Sequence, residues 1–342
     1  MRKSSPMPAV RLAVCVGAAM IAIAGCGGSS SSSSSAAAGG SSSSSASGSA
    51  KHYSVAFIPG ATGVAFYDSL GAGVQAEANK LGMSYSTQGA ADFTPAAQTP
   101  VVDAVCSRSP SLLLVAPTDP AAMRSAIQRC MSEGVKVVLV DTGLTDASGV
   151  VSAITSNNLQ GGEAAGKVIG QALHGKGEVS LMSLSPTATT QVLRLQGAKQ
   201  ELKASYPGIS VVSTQYTQQA PSSSETTARS VLSAHPGIGA FFGAAEPNAE
   251  GTAQALVSTG KKAVNIGYDA SPPEVQLLKK GQISALVIQQ PALEGTLGVK
   301  YGYDALTGKT KPIKKTVELP NVVVTTSQAN SPTATKYYYT GS

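Results

Sequence analysis

Tyr53-Ser-Val-Ala-Phe-Ile58 is an apolar run of the kind that forms a buried strand, and two similar runs follow it. These are Ser111-Leu-Leu-Leu-Val-Ala116 and Val135-Lys-Val-Val-Leu-Val140. Continuous apolar runs, unlike alternating ones, are typical of parallel strands that helices cover on both faces. Helical patterns over 65–81 and 96–108 lie between these runs. The segment therefore predicts an α/β domain built on a parallel sheet.

The alternation of strands and helices begins again after a strand predicted at 150–155. Roughly eleven strands are too many for one doubly wound sheet, so the pattern predicts two lobes, each an open parallel sheet with helices on both faces. Asp119-Pro120 is typical of a helix start and predicts a helix over 119–133. The remaining predicted strands are 83–87, 178–184, 209–216, 238–242, 263–267, 282–288 and 317–324, and the remaining helices are 158–173, 189–205, 222–234, 247–259, 272–280 and 291–307.

Charge gives no support to a nucleic-acid partner. The formal net charge is +6, with 25 basic and 19 acidic side chains in 342 residues. Three of the basic residues, Arg2, Lys3 and Arg11, lie in the first fifty residues, which hold no acidic residue. Lysine and arginine form no later run longer than two residues. The body is therefore close to neutral, and its basic pI does not indicate binding to a polyanion.

The N-terminus has the pattern of an export signal and a tether. Residues 1–25 combine basic residues with an apolar run over 12–24, which is too short to span a bilayer as a helix. Ile23-Ala24-Gly25-Cys26 resembles the lipobox of bacterial lipoproteins, which implies cleavage before Cys26 and its acylation. Residues 26–51 continue as a flexible Ser-, Gly- and Ala-rich linker. We expect an extracytoplasmic protein anchored to the cell membrane by lipid; an ordinary secreted protein is the alternative.

Two cysteines remain in the mature body. Cys15 leaves with the signal, and Cys26 is the expected lipidation site. Cys106 and Cys130 fall near the ends of two predicted helices that flank one strand. In an oxidising compartment such a pair favours a disulfide, and two buried free thiols are the alternative.

Polar residues gather where the predicted strands end. Asp141, Asp269 and Gln289 each follow an apolar strand, and Glu246 follows Phe241-Phe242. In open α/β sheets the carboxyl ends of the strands form the ligand crevice. Carboxylates accept hydrogen bonds from adjacent hydroxyl groups, and carboxamides both donate and accept. Each of these residues taken alone is more typical of a strand-end cap or a loop-solvating group, but together they predict a site for a neutral, polyhydroxyl ligand.

In order and spacing, residues 52–342 resemble the periplasmic sugar-binding proteins of the ribose-binding type, the solute-binding components of ABC importers. The segments that carry the resemblance are Ser54-Val-Ala-Phe-Ile58, Ala65-Phe-Tyr-Asp-Ser-Leu70, Leu113-Leu-Val-Ala-Pro-Thr-Asp119, Val138-Leu-Val-Asp141, Ser156-Asn-Asn158 with Gly161-Gly162, Ala234-His-Pro-Gly237, Ile266-Gly-Tyr-Asp269, and Val287-Ile-Gln-Gln-Pro291 with Gly295.

The resemblance assigns roles to particular side chains. Phe66 and Tyr67 match the aromatic residues that stack on sugar rings in the family. Asp141 and Asp269 match its hydroxyl-binding carboxylates, and Gln289 matches its cleft glutamine beside a hinge. The resemblance also implies that the protein is not an enzyme, uses no cofactor or metal and works as a monomer.

The sequence departs from the family pattern at several positions, most of them in the second lobe. Gln191 lies near the usual place of a sugar-binding arginine, and Arg194 lies about two positions after that place. Gln219 stands near the family's second aromatic residue, Ala245 near its cleft asparagine, and Val64 at a position that is usually polar. The cleft is therefore expected to be less polar and less aromatic, and a common pentose or hexose is not assumed. The ligand expected is a sugar, a polyol or a related solute.

The resemblance implies two Rossmann-like lobes joined by a three-strand hinge, the periplasmic binding protein-like fold of type I. The N-terminal lobe is expected to hold 52–156 and 291–321, and the C-terminal lobe 157–290 and 322–342. The crossings are expected near 155–158, 289–291 and 321–325. Ligand contacts from both lobes would favour closure, after which the closed form would dock on a membrane permease. A receptor that signals through a membrane sensor is the alternative.

Two glycine motifs suggest nucleotide binding but lie in the wrong context. Gly161-Gly-Glu-Ala-Ala-Gly166-Lys167 has the spacing of a phosphate-binding loop, but Val168 replaces the hydroxyl residue that holds magnesium. Gly71-Ala-Gly73 resembles a dinucleotide fingerprint inside a predicted helix rather than at its start. Close packing of small residues is the interpretation that these positions favour.

Overall fold

The computed structural model describes residues 52–340. The predicted export signal, the Cys26 lipidation site and the Ser-rich linker lie outside these residues. Within 52–340 no helix is both long enough and apolar enough to cross a membrane.

The first lobe is built on a six-stranded sheet in which every neighbouring pair is parallel. Its strand order is β11-β5-β4-β3-β1-β2. The strands are β1 (Ser54–Ile58), β2 (Ser84–Thr87), β3 (Leu112–Val115), β4 (Lys136–Val140), β5 (Ser152–Ser156) and β11 (Thr316–Leu319). The helices connected to these strands are α1 (Ala65–Lys80), α2 (Pro95–Cys106), α3 (Arg124–Ser132) and α9 (Pro291–Leu306).

The second lobe repeats this architecture, with strand order β12-β10-β9-β8-β6-β7. The strands are β6 (Lys176–Ser183), β7 (Gly208–Tyr216), β8 (Ala240–Gly243), β9 (Val264–Tyr268), β10 (Ala285–Ile288) and β12 (Val322–Thr325). Its helices are α4 (Asn158–Ala172), α5 (Thr189–Ser205), α6 (Pro221–Ala234), α7 (Glu246–Thr259), α8 (Pro272–Lys279) and the short α10 (Pro332–Thr335), which follows a 3₁₀ turn at Thr326–Gln328.

Strand β3 shows why the continuous apolar runs indicated the fold. Leu112 and Leu114 pack into the core layer beneath α1 and α9, whereas Leu113 and Val115 pack into the layer on the opposite face. All four side chains are completely buried. A strand covered on both faces has no solvent side and therefore no polar alternation. The predicted two-lobed α/β fold is confirmed.

Two predicted elements differ from the structure. The single strand expected at 317–324 is two strands, β11 in the first sheet and β12 in the second. Pro320 lies between them, and its missing N–H cannot continue a ladder. The helix expected at 119–133 begins only at Arg124. Asp119 instead accepts hydrogen bonds from the N–H groups of Ala121 and Ala122, so it caps a separate turn that precedes the helix.

The chain passes between the sheets at three places: between β5 and α4, between β10 and α9, and between β11 and β12. The third crossing lies at 320–321, slightly before the predicted position near 321–325. Ile288, where β10 leaves the second lobe, pairs with Val322, where β12 enters it. The two strands therefore run in opposite directions, and β12 is an antiparallel edge on a sheet expected to be wholly parallel.

Glycines bring two helix pairs close enough to place site residues. A Cβ atom on Gly73 in α1 would lie 2.1 Å from the carbonyl oxygen of Ala292 in α9. A Cβ atom on Gly162 in α4 would lie 2.1 Å from the carbonyl oxygen of Arg194 in α5. Only glycine permits such approaches. Both nucleotide-like motifs are thus helix-packing surfaces, as the sequence favoured.

Cys106 and Cys130 form a disulfide that joins α2 to α3, with Cα atoms 5.3 Å apart. Both residues are buried in the layer that covers the outer face of the first sheet. The alternative of two free thiols does not hold in the structure.

Candidate ligand-binding cleft

A small cavity of about 50 Å³ lies between the two lobes at the carboxyl ends of their strands. All of the ligand-contact residues expected from the sequence line it: Phe66, Tyr67, Asp141, Gln191, Arg194, Glu246, Asp269 and Gln289. The remaining wall residues are Val64, Phe93, Leu184, Thr190, Gln219, Ala245 and Pro247. The sequence therefore identified a set of side chains that do converge in space.

Asp141 and Asp269 hold equivalent positions in the two lobes. Each directly follows the third strand in the order of its sheet. Both have left-handed backbone conformations, with φ of 60° and 90°. The N–H of Asp141 donates to Ile154 of the next strand at 3.0 Å, and the N–H of Asp269 donates to Val287 at 2.9 Å. The turn out of each strand thus aims each carboxyl group into the cavity.

First-lobe residues hold the Asp141 carboxylate in place. Its Oδ2 accepts a hydrogen bond from the Tyr67 hydroxyl at 2.8 Å. The Asp141 N–H also donates to the buried carboxylate of Glu294 at 3.1 Å, and Ser156 donates to the other oxygen of Glu294 at 2.9 Å. Burial raises the pKa of Asp141 to about 6, opposed by Arg194 and Tyr67. Asp141 is therefore ionised at neutral pH and can accept further hydrogen bonds.

Two donors hold Asp269 through a single oxygen. Gln289 Nε2 donates to Oδ1 at 2.7 Å, and the Tyr339 hydroxyl donates to the same atom at 2.9 Å. Among the described residues Oδ2 has no hydrogen-bond partner. Burial raises the pKa of Asp269, while Arg194, Gln289 and Tyr339 oppose that rise. One oxygen is thus fixed by the protein, and the other remains available to a ligand.

Among the described residues that form the cavity wall, Arg194 is the only cation, and it is 2% exposed. Its Nε donates to Asn158 at 2.7 Å, and its Nη1 donates to the carbonyl oxygen of Ala244 at 2.9 Å. The guanidinium carbon lies 3.8 Å from the ring centroid of Tyr268. Burial opposes its charge, but Tyr268, Asp269 and Asp141 raise its pKa overall. Arg194 therefore lies in the cleft, although in the sequence it comes about two positions after the place that the family resemblance gives to its sugar-binding arginine.

The rest of the second-lobe wall is polar but sparsely bonded. Gln191 Oε1 accepts from the Ser183 hydroxyl at 2.8 Å. Glu246 Oε2 and Gln289 Oε1 are buried and have no hydrogen-bond partner within residues 52–340. Burial, and then repulsion from Asp269 and Glu250, raise the pKa of Glu246 to about 8. Glu246 is thus mostly protonated at neutral pH and can donate a hydrogen bond.

Aromatic rings form the side of the cavity towards α1. Phe66 lies edge-on to Tyr67, with ring centroids 5.2 Å apart, and to Tyr339, at 6.1 Å. Phe93 adds a further ring from the loop before α2. Such surfaces suit the C–H faces of a ring-shaped or linear polyol.

Sequence reasoning missed Phe93, Glu294 and Tyr339. Phe93 lies in a polar loop and Glu294 in the first turn of a helix, where an acidic residue is ordinary. Tyr339 comes after the last strand, in a segment without periodicity. Of these three, only Glu294 could have been suspected from the sequence, because it lies close to the expected crossing at 289–291.

Residues 55–310 match the family model described as periplasmic binding protein domain. The ribose import binding protein of Bacillus subtilis is 29% identical over 278 residues, which cover 80% of this chain and 88% of that protein. The D-allose-binding periplasmic protein of Escherichia coli is 27% identical over 266 residues, which cover 74% and 85% of the two chains.

Solved structures agree with these relatives. An ABC transporter solute-binding protein of Agrobacterium vitis, bound with α-D-tagatopyranose, is 30% identical and superimposes with a TM-score of 0.81. The match covers 84% of this chain and 100% of that one. A solute-binding protein of Burkholderia graminis in complex with D-arabinose is 28% identical, with a TM-score of 0.76 and coverage of 82% and 98%. These proteins bind solutes for transport and are not enzymes. The sequence resemblance is thus confirmed, and the chain belongs to the periplasmic binding protein family, as a binding protein rather than an enzyme.

Proposed function

We propose that the protein captures a small, neutral, polyhydroxyl solute between its lobes and presents it to the permease of an ABC importer. The single observation that carries this proposal is the convergence of Asp141 and Asp269, from opposite lobes, on one cavity. Relatives that bind ribose, allose, tagatose and arabinose support the class of ligand.

The charge balance of the cavity favours a neutral ligand. Asp141 and Asp269 lie near Arg194, and Glu246 is largely uncharged at neutral pH. An anionic sugar would meet two carboxylates against one guanidinium that is already bonded to Asn158 and Ala244. Hydroxyl groups can donate to the free carboxylate oxygens and accept from Arg194 or protonated Glu246. A sugar or polyol therefore fits the arrangement better than an acid does.

The wall is unusual enough that the ligand need not be a common pentose. Val64, Gln219 and Ala245 line the cavity at the positions where the resemblance placed departures from the family. Val64 leaves less hydrogen-bonding surface on the first lobe, and Gln219 and Ala245 leave less aromatic and less hydrogen-bonding surface on the second. A compact polyol, a deoxy sugar or a branched sugar would match such a wall.

Lobe closure supplies the mechanism. In this proposal residues 52–156 with 291–321 move against 157–290 with 322–342, about the three crossings between the sheets. A ligand bonded to both aspartates has more contacts when the lobes are closed, so it shifts the population towards the closed form. The closed form is the state proposed to dock on the permease.

We further propose that the mature protein is a monomer tethered at Cys26 to the outer face of the cell membrane. The lipobox-like sequence and the Ser-rich linker support this location. As a random coil, a Ser- and Gly-rich sequence of this length has an r.m.s. span of roughly 25–30 Å. The body could then capture solute and dock without leaving the membrane surface.

A thermal-shift panel of sugars, polyols and nucleosides tests the proposed ligand class. A ligand at ~100 times its Kd should stabilise the folded state by about 2.7 kcal/mol. Native mass spectrometry of freshly purified protein should reveal any solute that co-purifies. A panel in which no sugar or polyol shifts the melting temperature would contradict the proposal.

A further inference from the structure

The C-terminal segment 326–340 returns to the ligand-binding cleft after the last strand has ended. It passes through α10 and places Tyr339 against the loop that follows β9. The N–H of Tyr339 donates to the carbonyl oxygen of Ala270 at 3.1 Å, directly after Asp269. Tyr339 is 6% exposed, so both its ring and its hydroxyl are buried. We call residues 326–340 the C-terminal strap.

The Tyr339 hydroxyl donates its hydrogen bond to a residue of the ligand site and not to a residue of the hydrophobic core. It donates to Asp269 Oδ1 at 2.9 Å, and Gln289 donates to the same oxygen at 2.7 Å. Burial, followed by the nearby charge of Asp269, raises the pKa of Tyr339 well above its usual value. Tyr339 therefore remains a protonated donor at any physiological pH. Two donors on one oxygen restrict the rotation of the carboxylate and leave its second oxygen without a hydrogen bond from the described residues.

The opposite lobe contains a matching arrangement. Tyr67 donates to Asp141 at 2.8 Å, so a tyrosine hydroxyl holds each of the two aspartates. Phe66 contacts both tyrosine rings edge-on, at 5.2 Å and 6.1 Å between centroids. Because Phe66 belongs to α1 and Tyr339 to the strap, the second ring contact joins the two lobes. The strap is thus linked both to the carboxylate and to the opposing lobe.

A plain packing role does not account for this arrangement. A phenylalanine would fill the same volume and keep the contact with Phe66. A buried hydroxyl needs a partner, and carboxylate acceptors are rare in a protein core. The neighbouring Tyr338 shows the packing alternative, because its hydroxyl donates to the Ala329 carbonyl within the strap at 2.6 Å. The two adjacent tyrosines therefore differ in role: the hydroxyl of Tyr338 bonds within the strap, and that of Tyr339 bonds to the site.

We propose that Tyr339 is a positioning residue of the ligand site, which orients the Asp269 carboxylate through its hydroxyl and contacts Phe66 of the facing lobe through its ring. The effect of Tyr339 on ligand affinity rests on the proposed sugar-binding function. The orientation of Asp269 does not depend on that function and can be tested without ligand.

The binding test compares Tyr339→Phe with Tyr338→Phe. Each variant loses one strap hydroxyl, but only the first loses a contact with the site. Calorimetric titration with the solute that gives the largest thermal shift should show a Kd about tenfold weaker for Tyr339→Phe, since the hydrogen bond that orients the Asp269 carboxyl group is lost. Tyr338→Phe should bind like the wild type. Equal affinity of Tyr339→Phe and the wild type would overturn the proposed effect on binding.

A ligand-free test follows the ionisation of Asp269 by NMR of ¹³C-labelled carboxyl groups. Asp269→Asn identifies the signal, because that signal disappears in this variant. A hydrogen bond to the charged form lowers a carboxyl pKa, so Tyr339→Phe should raise the pKa of Asp269 and Tyr338→Phe should not. The other polar and charged groups that act on Asp269 stay in place in both variants: Arg194, Gln289, Glu246, Glu274, Tyr268 and Asp141.

The two tests separate the possible failures. If no solute binds the wild type, the proposed function fails, and the Asp269 titration still decides the role of Tyr339. If solutes bind and the Asp269 pKa is the same in Tyr339→Phe as in the wild type, the positioning role is wrong and the function stands. A fall in melting temperature shared by both tyrosine variants, with unchanged affinity and unchanged titration, would show that the strap only stabilises the fold.

Discussion

Arg194 stacks on Tyr268, the residue that precedes Asp269, with the guanidinium carbon 3.8 Å from the ring centroid. Hydrogen bonds to Asn158 and Ala244 fix the same group from two further sides. A guanidinium held in this way is preorganised, so a ligand need not order it on binding. Its charge also lowers the pKa of both aspartates, against the rise that burial causes.

Arg194→Lys should therefore weaken solute binding by about tenfold or more. Lysine keeps the charge but lacks the planar fork that bonds to Asn158 and Ala244 together and stacks on Tyr268. Arg229→Lys is a matched control, because Arg229 is exposed and donates to Ser258 far from the cavity. Titration calorimetry measures both variants. An Arg194→Lys protein that binds as tightly as the wild type would show that Arg194 has no special place in the site.

Glu246 predicts a specific dependence of stability on pH. Its pKa is about 8 in the folded protein against 4.5 for the free side chain. The folded state therefore holds this proton more tightly than the unfolded chain does. The stability that Glu246 contributes is complete below pH 4.5 and is lost as pH rises towards 8.

The free energy of unfolding of Glu246→Gln, relative to that of the wild type, should accordingly increase as the pH rises. The difference in unfolding free energy between variant and wild type should change in favour of glutamine by on the order of 1–3 kcal/mol between pH 5 and pH 8.5. Urea denaturation at several pH values measures this difference. A difference that stays constant over this range would mean that Glu246 does not retain its proton in the folded protein.

The disulfide between α2 and α3 should stabilise the first lobe without affecting the site. The double variant Cys106→Ala/Cys130→Ala should lose about 3 kcal/mol of unfolding free energy, because the loop closed by the bond is short. A reducing agent should lower the melting temperature of the wild type and leave that of the double variant unchanged. Solute affinity should be the same in both proteins, since neither cysteine lines the cavity.

Cys26 should decide where the protein is found in the cell. Cys26→Ala removes the only acylation site of the lipobox-like sequence, so the protein should leave the membrane fraction and become free. Cys15→Ala is the matched control, because that cysteine lies in the predicted signal and its loss should not alter fractionation. Membrane association that persists in Cys26→Ala would contradict the lipid anchor.

Local pattern predicted most of the fold because parallel strands covered on both faces carry continuous apolar runs. It also predicted Asp141, Asp269 and Gln289, because the carboxyl ends of parallel strands meet at one edge of a sheet. The division at Pro320 was missed, because two short apolar strands separated by two residues look like one strand. The direction of β12 depends on where the chain crosses between lobes, which no local pattern records.

Tyr339 marks the limit of prediction at the site. It lies 70 positions from Asp269 in sequence and reaches it only because the strap folds back after β12. Tyr337, Tyr338 and Tyr339 are identical in type and adjacent, yet only Tyr339 bonds to a site residue. A tertiary contact of this kind depends on the path of the whole chain, and composition or spacing does not reveal it.

The proposed function depends on one solute held by a carboxylate from each lobe. Asparagine is the matched replacement for both aspartates, because it tolerates their left-handed backbone and keeps the size of the side chain while it removes the charge and turns one acceptor oxygen into an NH2 donor. Asp304→Asn on α9 is the control outside the cavity. The most direct measurement is titration calorimetry of the wild type, Asp141→Asn and Asp269→Asn with the solute selected by the thermal-shift panel. We predict that each site variant, although folded, binds at least about a hundredfold more weakly than the wild type and the control. Undiminished affinity in either site variant would contradict capture of the solute between the two lobes.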